Sequence, residues 1–252
     1  MVELYNKVRL NFGQKILITL VVLKKSLITE QICAHLQLKA NGQKNLKQNK
    51  INKKFVYLIS PNKIPDINFY DDLALVLSSK KISFFQLRLK KETNSNKLII
   101  GKKIKKICNK YKVKFLINDD PLLVKKLNAD GCHLGQKDMD LIKARKILKN
   151  KIIGVTCHNS INLAKKAINA GADYLAFGAF YPSKTKIAKY KASLIILKTV
   201  KEITSLPIVA IGGIKLSNYK KLLLNKANFL AISGYIWNNK KYKPLEAIKK
   251  LK

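Results

Sequence analysis

The stretch "KFLINDDPLLVKKLNADGCHLGQKDMDLIKARKILKNKIIGVTC", residues 114–157, holds three short apolar runs separated by two segments of helical period. KFLIND (114–119), GCHLG (131–135) and IIGVTC (152–157) have the length of strands. PLLVKKLN (121–128) and DLIKARKILKN (140–150) repeat their apolar residues at spacings of three and four. Strand, helix, strand, helix, strand in so short a span is the pattern of parallel βα units. The alternation runs backward through KFVYLIS (54–60), YDDLALVLSSK (70–80), FFQLRL (84–89) and NKLIIGKKIKKICNKY (96–111). It runs forward through SINLAKKAINAG (160–171), YLAFGAF (174–180), KASLIILKTVKEIT (191–204), PIVAIGG (207–213), SNYKKLLLNK (217–226), FLAISGY (229–235) and PLEAIKKLK (244–252). Eight strands, each followed by a helix, predict an α/β fold over residues 53–252, a single TIM (β/α)8 barrel. No GxGxxG opens the first unit, and eight regular repeats favour closure over an open doubly wound sheet.

Residues 1–52 stay outside this alternation. They carry an apolar patch and then LKANGQKNLKQNKINKK, a Gln/Asn/Lys tract with too little apolar surface to fold alone, and are expected to be a partly disordered N-terminal extension. Their longest apolar run, ILITLVVL (16–23), is too short to span a bilayer, and no small-x-small cleavage site follows it closely. Cys33, Cys108, Cys132 and Cys157 contain no CxxC pair, so free thiols in a reducing cytoplasm are expected.

The net charge of +37 points to anionic partners, but its quality matters more than its size. Of 51 basic residues only Arg9, Arg88 and Arg145 are arginines, and the lysines are spread over nearly every helix. The lysine runs have few aromatics among them, unlike surfaces that stack bases. Nucleic acid, a membrane surface and small phosphorylated molecules all stay open as anionic partners, and the charge by itself says little about function.

In such a barrel the chemistry lies where strands end, so polar residues at those positions are the candidates. After strand two, QLRLKK offers Gln86, Arg88 and Lys90; alternation sends these three to the barrel mouth and Leu87 and Leu89 toward the helices. A cationic pair there calls for an anion or for a carboxylate on the neighbouring strand. Strand three ends in Asn118 and Asp119, and Asp138 follows strand four in GQKD. Two carboxylates from adjacent strand ends suit Mg²⁺, which takes one or two carboxylates plus substrate phosphates. Asp120, before Pro121, is placed to cap the next helix. The loops after strands six to eight read YPSKTK (181–186), AIGGI (210–214) and AISG (231–234). Their hydroxyls, lysines and glycines Gly212 and Gly213 offer a second anion site in the same mouth.

Seven short motifs appear in order, each at the end of its strand: QLRLK, IND, HLGQKD, GVTCH, PSKTK, VAIGGI and ISG. Over roughly residues 54–236 they resemble the thiamine-phosphate synthase family. That resemblance implies transfer of an aminopyrimidinylmethyl group from its diphosphate to a thiazole phosphate (carboxylate), giving thiamine phosphate, pyrophosphate and, with the carboxylated thiazole, CO₂ through a dissociative step, with small phosphorylated molecules as partners and neither nucleic acid nor membrane among them. It implies that Gln86, Leu87, Arg88, Leu89, Lys90, Asn118, Thr156 and Lys186 bind the pyrimidine diphosphate. Asp119 and Asp138 would hold one Mg²⁺ per subunit, while Ser183, Lys184, Thr185, Gly213, Ile232 and Ser233 would hold the thiazole phosphate. Arg88, Lys90 and Lys186 would act on the leaving group. The attacking thiazole nitrogen brings its own lone pair, which agrees with the lack of a nucleophile–base triad; His133 and His158 are expected to be supporting residues.

Here Ser183 stands in place of the family's usual threonine, Thr156 in place of a frequent serine, and IAKYKAS (187–193) lacks the glycine common before the next helix. The related thiazole tautomerase shares the barrel and the thiazole-phosphate loops but does not need QLRLK, IND and GQKD. A basic nucleic-acid-binding barrel, the other alternative, would bind with steep salt dependence and ignore Asp119 and Asp138.

Overall fold

The structure, a computed structural model, describes residues 54–64, 66–183 and 189–252. The barrel expectation is met. Eight parallel strands close in chain order: β1 (Val56–Ile59), β2 (Ile82–Leu87), β3 (Lys114–Asn118), β4 (Gly131–Leu134), β5 (Ile152–His158), β6 (Tyr174–Gly178), β7 (Ile208–Ile211) and β8 (Phe229–Ile232). Closure is made by β1 on β8, with Val56 opposite Leu230. Helices α1 (Asn68–Ser78), α2 (Asn94–Lys110), α3 (Pro121–Leu127), α4 (Leu141–Leu148), α5 (Ile161–Asn169), α6 (Ile195–Ile203) and α7 (Tyr219–Leu224) connect successive strands. A short helix α8 (Gly234–Trp237) and α9 (Pro244–Lys250) follow β8. None of these helices is long and apolar enough to cross a membrane.

Several boundaries move. β2 ends at Leu87, two residues short of FFQLRL, and β8 stops at Ile232 because Gly234–Trp237 turn into a helix. Helix starts follow local capping. Asp120 Oδ1 accepts from Leu123 N at 2.9 Å ahead of Pro121, as expected, and Asp140 and Ser160 accept in the same way at α4 and α5.

Period-two alternation sorts the apolar residues into two layers. Val56, Leu58, Phe85, Leu87, Phe115 and Ile117 face the helices in one large core. Tyr57, Ile59, Phe84, Leu116, Tyr174, Ala176, Val209, Phe229 and Ala231 fill the barrel interior. The N-terminal ends of the strands are tied by a recurring device: a side chain just before an even strand accepts a backbone N–H of the strand before it. Asp130 accepts from Phe115 N at 2.9 Å, Asp173 from Ile153 N at 2.7 Å and Asn228 from Ile208 N at 2.9 Å. This end is also where Arg145 donates to the carbonyls of Lys149, Lys151 and Gly171 and to Asp173. The opposite end is thereby left to vary without loosening the barrel.

Candidate active site

At the C-terminal mouth the carboxylates of Asp119 and Asp138 and the cations of Arg88 and Lys90 read from the sequence do converge. Asp119 sits one residue past β3 with φ of 64°, a left-handed conformation that aspartate tolerates, and its N–H donates to His133 O at 2.8 Å. This swings its carboxylate over the mouth, where Oδ2 meets Lys90 Nζ at 2.8 Å. Asp138 reaches the same spot from a turn after β4: Gly135 N donates to Asp138 Oδ2 at 2.7 Å. A Cβ on Gly135 would sit 2.6 Å from that oxygen, so the glycine is what admits the carboxylate.

The two carboxyl groups are close enough to couple, each shifting the other's pKa. Burial pushes Asp119 up, but hydrogen bonds from Asp138 and Lys90 and the lysine charge prevail and hold it below the usual carboxylate range. Burial, then the Asp119 contact and charge, raise Asp138 above the usual carboxylate range. Asp119 and Asp138 are the residues that would hold a divalent cation here, and its charge would relieve the repulsion between them. The donor set suits Mg²⁺, a hard cation that takes one or two carboxylates and would draw its remaining oxygens from water and substrate phosphates.

Arg88 lies just beyond β2. Its Nη1 donates to Asn62 Oδ1 at 2.9 Å and its N–H to Ser60 Oγ at 2.9 Å. Burial lowers its pKa from the ordinary arginine value and Asp119 restores only part, which leaves a cation poorly solvated and poorly neutralised at the mouth. Beside the carboxylate pair is a cavity of about 250 Å³. It has an apolar floor of Leu87, Leu89, Ile117 and Leu123 and a polar rim of Lys90, Lys97, Asn118, Asp119 and Asp120. The Leu87 and Leu89 side chains belong to the outer core, so toward the mouth these residues have only backbone groups to offer. Lys97, in the first turn of α2, was not anticipated; the sole signal for it is its position one turn after the Thr93 cap.

Gln86 and Thr156 face inward and are held from behind. Gln86 Nε2 donates to Tyr57 Oη at 3.0 Å, and Thr156 Oγ1 lies 2.8 Å from His133 Nε2. Burial pushes the His133 imidazole down to about 4, so it is neutral at physiological pH.

On the other side of the mouth the loops after β6 and β7 interlock. Gly212 and Gly213 have φ of 106° and 59°; a Cβ on Gly212 would collide with Ala179, and one on Gly213 with the Pro182 carbonyl oxygen. The close approach that demands these glycines is made by the chain itself. Ser183 follows Pro182 directly, whereas Lys184, Thr185 and Lys186 lie outside the described residues. The loop returns at Tyr190, whose ring stacks on His158 with centroids 4.1 Å apart, a contact the sequence reading missed. Ile232 is buried in the outer core, and Ser233 Oγ donates to Ser60 O at 3.1 Å, joining the ends of β1 and β8. Cys108, Cys132 and Cys157 are buried free thiols; Cys33 is outside the described residues.

Comparison with known proteins agrees with this layout. The family model described as thiamine monophosphate synthase matches residues 56–236. A thiamine-phosphate synthase of Pelagibacter ubique is 92% identical over 207 residues, covering 82% of this chain and 100% of the relative. One of Nitrosomonas eutropha is 38% identical over 184 residues, covering 73% of this chain and 86% of the relative. Among solved structures, a thiamine phosphate pyrophosphorylase from Pyrococcus furiosus aligns with a TM-score of 0.69 and 25% identity over 80% of this chain and 96% of that one. With the family model matched over residues 56–236 and a 92% identical thiamine-phosphate synthase covered along its whole length, the chain belongs to the thiamine-phosphate synthase family.

Proposed function

We propose that this chain is a transferase that joins an aminopyrimidinylmethyl diphosphate to a thiazole phosphate, or its carboxylate, releasing pyrophosphate and thiamine phosphate and, with the carboxylate, CO₂. The observation that carries the reading is the meeting of Arg88 and Lys90 with the Asp119–Asp138 carboxylate pair at the mouth. Cations alone would bind any anion, and carboxylates alone would repel one. Together they suit a diphosphate that arrives with a divalent metal.

In this reading Gln86, Asn118 and Thr156 hold the pyrimidine, while Arg88, Lys90 and Lys186 neutralise its diphosphate, with Leu87 and Leu89 contributing through their backbone. Asp119 and Asp138 hold one Mg²⁺ per subunit; when bound, the ion adds Lewis-acid stabilisation of the departing oxygens. Ser183, Lys184, Thr185, Gly213, Ile232 and Ser233 hold the thiazole phosphate. The C–O bond to the diphosphate breaks first, pyrophosphate leaving with that electron pair, and the thiazole nitrogen then forms the new C–N bond to the resulting aminopyrimidinylmethyl cation with its own lone pair. The chain therefore needs no general base. Its contribution is to align both substrates and to offset negative charge as it grows on the leaving group. Residues 1–52 form a separate extension in this reading, and the substrates are soluble phosphorylated molecules met in the cytoplasm.

Pyrophosphate release tests the reading, measured with both substrates and Mg²⁺ for wild type, Asp119→Ala and Arg88→Ala. Pyrophosphate and thiamine phosphate should appear in equal amounts with wild type, and each variant should lose on the order of 100-fold in rate. A wild-type protein inert at saturating substrates and Mg²⁺ would overturn it and make tautomerisation of the thiazole phosphate the next assay.

A further inference from the structure

The mouth is backed by a run of polar groups inside the otherwise apolar barrel, and their donors and acceptors can be assigned one by one. Gln86 Nε2, a nitrogen that can only donate, lies 3.0 Å from Tyr57 Oη. Tyr57 Oη is 2.9 Å from Tyr174 Oη, which is 2.8 Å from His133 Nδ1, and His133 Nε2 is 2.8 Å from Thr156 Oγ1. Both tyrosines are almost fully buried, so a phenolic hydrogen left without an acceptor there would be costly. Tyr57 accepts from Gln86 and has one hydrogen, and Tyr174 Oη is the acceptor within its reach. Tyr174 must then direct its own hydrogen to His133 Nδ1. That makes Nδ1 the unprotonated nitrogen and puts the imidazole hydrogen on Nε2, from which it goes to Thr156 Oγ1. The reverse direction would have Tyr57 accept twice and strand its hydrogen among aromatic rings.

We propose that Tyr57, Tyr174 and His133 are positioning residues forming a one-way hydrogen-bond relay. It fixes the Gln86 amide with its oxygen toward the substrate as an acceptor and turns the Thr156 hydroxyl toward the substrate as a donor. The ligand this polarity fits is a flat heteroaromatic ring with an exocyclic amino donor next to a ring-nitrogen acceptor, and in that respect the inference rests on the pyrimidine reading above. Gly154 belongs to the same arrangement, because a Cβ there would run into the Tyr174 ring.

Two measurements test it. Long-range ¹⁵N–¹H correlation of the imidazoles at neutral pH, with His133 assigned by loss of its signals in His133→Gln, should show a protonated Nε2 and a bare Nδ1; a protonated Nδ1 overturns the relay whatever the enzyme's activity. Tyr174→Phe keeps the ring but breaks the relay. It should raise KM for the pyrimidine diphosphate about tenfold and leave KM for the thiazole phosphate within about twofold. In a Thr156→Val background the same change should add less than about threefold. Tyr57→Phe, should Tyr174→Phe fail to fold, should give the same substrate-selective shift. Loss of thermal stability with both KM values unchanged, or raised alike, would reduce the tyrosines to packing and overturn the proposal. An inert wild type would instead overturn the synthase reading, while the tautomer would still decide the relay.

Discussion

Replacing Arg145 by Met should unfold the barrel at lower temperature while leaving the chemistry of the folded enzyme intact. The guanidinium makes four hydrogen bonds of 2.7–2.8 Å, to the carbonyls of Lys149, Lys151 and Gly171 and to Asp173 Oδ2. Methionine keeps most of the aliphatic stem, so the loss is mainly polar. At about 1 kcal/mol for each carbonyl bond and roughly 1.5–3 for the charged one, the gross loss is about 5 kcal/mol. The pair retains side-chain exposures of 28% and 20%, so water can reach the abandoned carbonyls, and Asp173 keeps its bond from Ile153 N. A net loss of about 3 kcal/mol follows. For a domain of this size each kcal/mol moves Tm by about 2–4 °C, giving a drop of roughly 6–12 °C. Differential scanning calorimetry reads the drop, and initial rates at a temperature where both proteins are folded read kcat, which should stay within about twofold. A kcat collapse with unchanged Tm, or a Tm shift under about 2 °C, would refute the assignment of this arginine to the structural end of the barrel.

Other outcomes follow from the same geometry. Burial pushes the Asp130 carboxyl up, but the Phe115 N–H and Lys105 outweigh it and hold the group below its ordinary value. A depressed carboxylate stabilises the fold above its unfolded pKa and loses that contribution as pH falls. Asp130→Asn should therefore be less stable than wild type by about 1 kcal/mol at pH 6–8, with the gap in urea unfolding closing below pH about 4. Gly213→Ala, at a φ of 59° and against the Pro182 carbonyl, should cost about 2–4 kcal/mol and raise KM for the thiazole phosphate more than that for the pyrimidine substrate. Asp138→Asn should raise the Mg²⁺ concentration for half-maximal rate by about tenfold or more, read from a metal titration. An unchanged Mg²⁺ dependence would remove Asp138 from the metal site.

The barrel was legible because period-two and period-3.6 patterning alternated eight times, and the capping role of Asp120 was legible because Asp-Pro at a helix start has few other uses. Side-chain direction at Gln86 and Leu87 followed from the same alternation, even though β2 itself stops at Leu87. What could not be read was contact between residues far apart in the chain. Tyr57 and Tyr174 are 117 positions apart, and each looks like one more aromatic in an apolar run. Tyr190 on His158 is hidden in the same way. The Gly212–Gly213 pair signals close approach of backbone, but a sequence does not say that residues of the preceding loop are among what presses there.

That interlocking makes the loop after β6 and the turn after β7 a single unit of redesign. A donor loop grafted in place of residues 179–183 would meet a glycine turn shaped for the old one, and a new β7 turn would meet the old loop's carbonyls. Recombination that keeps this barrel but changes its acceptor substrate should therefore place its crossovers before β6 and after β7, inheriting both segments from one parent.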